Sequence, residues 1–164
     1  MNLVVSNDKY VIYLKKEEIS DIDFSSKIQV ESLFKTLFLK IKNRVNMELN
    51  GMFNIKVYLN NLFGAILVFE KEEEYYDYLI NKIDMKIEII EDSNILKEYQ
   101  DINYIKDDTF YIYNDLYYTK YDNDTDSEFY KIIYGDIANE ILDKSLVCHL
   151  KKVWYNTKVL FFMI

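Results

Sequence analysis

The chain has 164 residues, 50% of them hydrophobic and 16% aromatic, with 3 Gly, no Pro, 1 Cys and 1 His; that length fits one ordinary domain or two small ones, and the apolar content excludes a disordered chain. The lone Cys148 and the lone His149 exclude a disulfide framework, a cysteine-rich zinc module and a two-histidine metal motif. The formal net charge of −8, with Arg44 the only arginine, argues against nucleic acid, which is met by basic faces rich in Arg forks. It argues equally against a polybasic membrane-surface site, and it favours basic protein surfaces as partners.

In chain order, residues 3–5 and 10–14 are short β-rich runs with a turn at Ser6-Asn7-Asp8-Lys9. Residues 15–27 are polar around the apolar pegs Ile19, Ile22 and Phe24, and Ser25 or Ser26 caps a helix that starts near Lys27. From residue 28 to about residue 49, Val30, Leu33, Phe34, Leu37, Phe38, Ile41 and Val45 recur in steps of one, three and four, the stripe of a helix that buries one face. Lys35, Lys40, Lys42 and Arg44 solvate its other face. Asn50-Gly51 stops the helix, the glycine supplying a left-handed cap. Strands over 53–59 and 65–70 then form a hairpin through Asn60-Asn61-Leu62-Phe63-Gly64. The first of them alternates cleanly, with Phe53, Ile55, Val57 and Leu59 on one side.

Beyond residue 71 the pattern weakens. Residues 72–83 suit a short helix with glutamates at its start, 85–89 alternate as a strand, and 93–99 suit another short helix. Residues 109–112 and 116–121 form a hairpin around Asn114-Asp115, and 128–133 start a further strand or helix. Residues 136–154 have Ile137, Ile141, Leu142, Leu146, Leu150 and Val153 at helical spacing and are expected to form one long helix. The apolar tail 159–164 is either a final buried strand or an exposed docking end. No stretch approaches the ~20 apolar residues of a membrane-spanning helix, and the first residues lack the basic and apolar regions of a leader, so the expected location is cytoplasmic.

Charge and tyrosine divide the chain. Residues 1–74 hold 10 Lys+Arg against 11 Asp+Glu, and residues 75–164 hold 10 against 17; 13 of the 16 tyrosines lie in the second part. The expectation is an α+β protein of two small lobes, 1–74 and 75–164, each with helices packed on an antiparallel sheet. Compositional drift along the chain is the alternative reading.

Few motifs carry chemistry. Asp122-Asn123-Asp124-Thr125-Asp126 places acids at the first, third and fifth positions of a calcium loop, but Ser127 stands where the turn needs glycine and Ile133 where a bidentate Glu belongs, so no metal is expected there. Cys148 and His149 are neighbours and diverge on a helix, so they do not form a nucleophile pair. Glycines at 51, 64 and 135 write neither a Walker loop nor a dinucleotide fingerprint. No cofactor and no catalytic residue is expected. The tyrosines from Tyr111 to Tyr121 are either a recognition surface or simply good strand formers.

Three stretches of the first lobe resemble the MecA-type adaptors, which hand substrates to the ClpC unfoldase and its ClpP protease. Glu17-Glu18-Ile19-Ser20-Asp21-Ile22-Asp23-Phe24 is similar to that family's acidic segment after the first strand, Val30-Glu31-Ser32-Leu33-Phe34 to its helix, and residues 53–71 to its closing hairpin. In the second lobe, Tyr134-Gly135 followed by Leu142-Asp143-Lys144-Ser145-Leu146, with Leu150-Lys151-Lys152 and Trp154 beyond, resembles its terminal helix; Lys144-Ser145 replaces the usual Asn-Ala, and the family's acidic linker is missing. The resemblance implies a non-enzymatic adaptor whose first lobe binds target proteins and whose acidic second lobe binds an AAA+ unfoldase. Asp136, Glu140 and Asp143 recur in steps of four and three along one strip of the expected last helix and are the candidate partner contacts. A small hydrolase or transferase without a legible site, and a phage-type interaction protein, are the alternatives.

Overall fold

The computed structural model describes residues 2–6, 9–45, 51–72, 83–122, 130–155 and 158–163. They form a mixed α+β structure dominated by strands, with two sheets and, among the described residues, two α-helices. Contacts divide the chain into compact units at Met1–Glu91 and Asp92–Ile164. The division falls later than residue 74 because the strand over 83–90 joins the first sheet.

The first unit contains β1 (Asn2–Ser6), β2 (Lys9–Lys15), α1 (Lys27–Val45), β3 (Gly51–Asn60), β4 (Gly64–Lys71) and β5 (Ile83–Ile90), and its sheet runs β1-β2-β4-β3-β5. Every pair is antiparallel except β3–β5, which is parallel, so the sheet is mixed rather than the expected antiparallel one. The expected helix over 72–83 falls largely outside the described residues. Ser26 is the α1 cap, its Oγ accepting from the Gln29 N–H at 3.4 Å, while the Gln29 side chain accepts from the Asp23 N–H at 2.8 Å. The helical stripe predicted from spacing is the buried face: Val30, Phe34, Leu37, Phe38 and Ile41 share one core with Tyr10, Ile12, Phe53, Ile55 and Phe69, and Leu33 lies half-buried at its edge. Phe34 and Phe38 meet Phe69 edge-on at ring separations of 5.5 and 5.3 Å, the offset geometry that aromatic quadrupoles favour. The helix end at 46–50 lies outside the described residues; Gly51 has φ +96° as the first residue of β3.

In the β3–β4 hairpin, Asn60 Oδ1 accepts from the N–H groups of Leu62 and Phe63 at 2.9 and 3.0 Å, an Asx turn that bends the chain. Gly64 follows at φ +125°, where a Cβ would run into the Leu14 carbonyl and come within 2.6 Å of the Lys16 nitrogen. Glycine is required here twice over, by conformation and by space.

The second unit contains β6 (Leu96–Tyr99), β7 (Thr109–Tyr113), β8 (Leu116–Lys120), β9 (Lys131–Ile133), α2 (Gly135–Lys144), β10 (Leu146–Tyr155) and β11 (Lys158–Met163), in the antiparallel order β11-β10-β7-β8-β6-β9. The β7–β8 hairpin is where the sequence places it, and Asn114 and Asp115 take φ of 48° and 63°, the two left-handed residues of a tight hairpin turn. Two expectations are corrected. Residues 93–99 do not form a helix: residues 96–99 are a strand between β8 and β9, and Leu96, Lys97 and Tyr99 are all buried. Burial on both faces removes the alternation that marks a strand from its sequence. Residues 136–154 are not one helix either. Ser145 turns to an extended conformation (ψ 159°), its N–H capping the Ile141 carbonyl, and Leu146–His149 pair with residues 109–112. Leu146 is 64% exposed, so the helical spacing of Leu142, Leu146, Leu150 and Val153 does not mark one buried face. The tail forms β11 on the outside of β10.

Alternating register gives the second sheet two different faces. One carries Tyr99, Phe110 and Cys148 with Ile105 of the connecting segment; the other carries Leu96 and Tyr118 in a cluster with Ala138 and Ile141 of α2.

Candidate functional site

Helix α2 begins at Gly135 (φ +74°) and has Asp136 in its first turn and Lys144 in its last, the charge order that suits the helix dipole. Gly135, Ala138 and Ile141 are buried. The predicted contacts Asp136, Glu140 and Asp143 therefore share the opposite, exposed face, as their spacing required. Glu140 Oε1 accepts from Lys144 Nζ at 3.0 Å and from the Tyr113 hydroxyl at 3.4 Å, and the ammonium beside it holds the carboxyl below the usual range. Ile137, 56% exposed, stands among these acids, and β10 leaves the helix with Leu146 and Val147 exposed as well. Acids beside uncovered aliphatic side chains make a surface that offers both electrostatic steering and apolar contact area.

A second constellation was not anticipated. Lys97, on the inner strand β6, has a side chain only 2% exposed, and its ammonium donates to Asp122 Oδ1 at 2.7 Å with Asp107 Oδ2 at 3.9 Å. The rings of Tyr130 and Tyr99 lie 5.3 and 5.9 Å from the same nitrogen. Thr119 is directly opposite on β8, its buried Oγ1 beside the Asp107 carboxyl. Burial works against the lysine charge, but the Asp122 hydrogen bond and the neighbouring Tyr99 outweigh it and raise the Lys97 pKa. Burial, then the charge of Asp122, raises the Asp107 pKa. A lysine held cationic in this way is neither a nucleophile nor a base at neutral pH. It is a charge anchor that ties two connecting segments, through Asp107 and Asp122, to one strand. The sequence signal was slight: a lysine between Leu96 and Tyr99, solvated if the segment were a helix and buried once it is a strand.

The remaining candidates resolve simply. Cys148 is buried, its thiol donates to the Leu146 carbonyl at 3.9 Å, and burial pushes its pKa up, the opposite of an activated thiolate. His149 is exposed and shares a hydrogen bond with Thr109 Oγ1 at 3.2 Å; neighbours on a strand point to opposite faces, so the two do not meet. Of the calcium-like segment, Asp122 is engaged with Lys97 and residues 123–129 lie outside the described residues. Tyr118 of the tyrosine-rich stretch is buried, with its hydroxyl donating to Glu98 at 2.9 Å, while Tyr111, Tyr113 and Tyr117 are half-buried. Among the described residues no group of three or more His, Cys, Asp or Glu could hold a metal ion. A groove of about 370 Å³ in the first unit runs between the start of α1 and β5 and is lined largely by Phe24, Val30, Met85, Ile87 and Ile89.

Against known protein families, curated proteins and solved structures, the chain matches none significantly.

Proposed function

We propose that this protein is a non-enzymatic, cytoplasmic adaptor that recognises protein targets and delivers them to an AAA+ unfoldase of the ClpC kind. In this reading its two units act as lobes, each a helix laid on a sheet, the first binding targets and the second the unfoldase. The observation that supports it is the outward face of α2, where Asp136, Glu140 and Asp143 stand exposed around Ile137 while Gly135, Ala138 and Ile141 face inward. Such a strip suits a basic, partly apolar protein surface. Acids of this kind act mainly on encounter rate and are screened over roughly 8 Å at physiological ionic strength.

The test uses the full chain and a purified ClpC-type unfoldase. The association rate should fall as salt rises, and the triple variant Asp136→Lys, Glu140→Lys, Asp143→Lys should lose binding while keeping its circular dichroism. A folded triple variant that associates at the wild-type rate would end the role of this strip; a wild-type chain that does not bind the unfoldase would end the adaptor reading itself.

A further inference from the structure

Strand β5 is, among the described residues, an edge of the first sheet, paired through β3 on one side. Its sequence alternates: Met85, Ile87 and Ile89 are half-buried and line the groove beside α1, while Lys86 and Glu88 are exposed. A long edge strand with apolar residues on one face is a template for further strand pairing, and natural sheets usually cover or blunt such edges. The charges on β5 alternate in sign and so suit pairing with a copy of the same strand.

We propose that the protein forms a two-fold dimer in which β5 pairs antiparallel with β5 of a second copy, centred on Ile87. Opposed residues in an antiparallel pair share a face, so only registers that keep the apolar face together need be considered. Centring on Lys86 sets Lys86 against Lys86 and Asp84 against Glu88 of the other copy. Centring on Glu88 sets Glu88 against itself. Centring on Ile87 alone sets Lys86 against Glu88 twice, once in each direction, with Ile87 on Ile87 and Met85 on Ile89 across the other face. Centring on Met85 also opposes unlike charges, Asp84 and Lys86, but pairs only residues 83–87 of the strand, whereas centring on Ile87 pairs residues 84–90. Opposite charges directly across a ladder stabilise it and like charges destabilise it, so charge and length of overlap together select the Ile87 register. The pairing is isologous and closes at two copies, which prevents the open-ended growth that edge strands otherwise invite. Because the two-fold axis stands perpendicular to the sheet, both α1 helices lie on the same side, and the two apolar grooves face each other across the new strand pair.

This inference concerns the first unit and does not depend on the unfoldase. The full chain is followed by sedimentation equilibrium from micromolar to millimolar concentration. The wild type should dimerise. Lys86→Glu and Glu88→Lys each replace two attractive pairs with two repulsive ones, and each should weaken the dimer by roughly tenfold or more. An equimolar mixture of these two variants should form a heterodimer, because every facing pair is then opposite in sign, and the double variant Lys86→Glu/Glu88→Lys should regain the wild-type affinity. Both side chains are exposed, and circular dichroism checks that each variant is folded. A wild type that stays monomeric at every concentration, whether its edge is bare or taken by another partner, would overturn the proposal. So would single variants that dimerise as well as the wild type, or a mixture that fails to associate.

Discussion

The two units solve the same problem with different interiors. The first fills its core with hydrocarbon: Phe34, Phe38, Phe53 and Phe69 stack around α1 and the central strands, and β4 is buried from Gly64 to Phe69. The second buries a charge. Lys97 lies as deep as any aliphatic residue, and its stability depends on carboxylates that arrive from two separate connections. An apolar core is held by volume and degrades in proportion to what is removed. A buried ion pair is held by completeness: loss of one partner strands the other, whereas replacing the whole arrangement by apolar groups of similar size is often neutral. The first unit should therefore respond to changes of size and the second to changes of charge.

The largest expected effect is in the hydrocarbon core. Phe34→Ala should destabilise the first unit by about 3–5 kcal/mol, and Leu37→Ala by about 2–5 kcal/mol, read from denaturant unfolding. A loss well under 1 kcal/mol for both would mean that α1 does not share the core of this sheet. Next comes the second unit. Lys97→Ala and Lys97→Met should each cost about 3 kcal/mol, since both strand the two carboxylates whatever volume they leave, a cost moderated because those carboxylates reach solvent in part. If Lys97→Met costs clearly less than Lys97→Ala, volume rather than charge holds that site, and the contrast between the units fails.

Gly64→Ala follows, at about 2 kcal/mol or more, since the added methyl meets backbone that cannot move aside as a side chain could. A neutral result would show that the hairpin reaches Leu14 less closely than described. The smallest effect is the alkaline one. Lys97 has a raised pKa, so the stability it contributes is complete below about pH 10 and is lost as pH climbs through its folded value. Burial raises Tyr118 and Tyr130 as well, so they too favour the protonated state when folded and weaken the unit in the same direction. In the first unit Tyr13 is raised in the same way. Trp154, the chain's single tryptophan, lies in β10 and reports the second unit by fluorescence. Its alkaline transition should come before the loss of the first unit, and Lys97→Met should move it to higher pH. A Lys97→Met transition at the wild-type pH would remove the lysine from this account.

How much of this was legible follows from the same contrast. In the first unit each element has one wet and one dry face, and the stripe from Val30 to Ile41 and the alternation from Phe53 to Leu59 state their periods openly. In the second unit they do not. Leu96, Lys97 and Tyr99 are buried on both sides of β6 and read as a helix, and Leu142, Leu146 and Leu150 keep helical spacing across the change from α2 to β10. The exposed strip of Asp136, Glu140 and Asp143 was readable because all three fall within the part of the segment that is helical. The Lys97 anchor was not, since Asp107 and Asp122 lie 10 and 25 positions away and nothing local marks them as its partners.

The sequence by itself determined the α1 stripe, the two hairpins with their Asn, Asp and Gly turns, and a serine cap at residue 25 or 26. These rest on local chemistry: side-chain periodicity, left-handed turn residues and short-range hydrogen bonds. Only the tertiary structure decided that β5 runs parallel to β3 and lies in the first sheet, that β6 is an inner strand, that the helix after Gly135 stops at Lys144, and that a lysine is a core residue. Each of those depends on which distant segment supplies the backbone or charge partner. A one-dimensional pattern records how much of a residue is apolar but not which neighbour completes it.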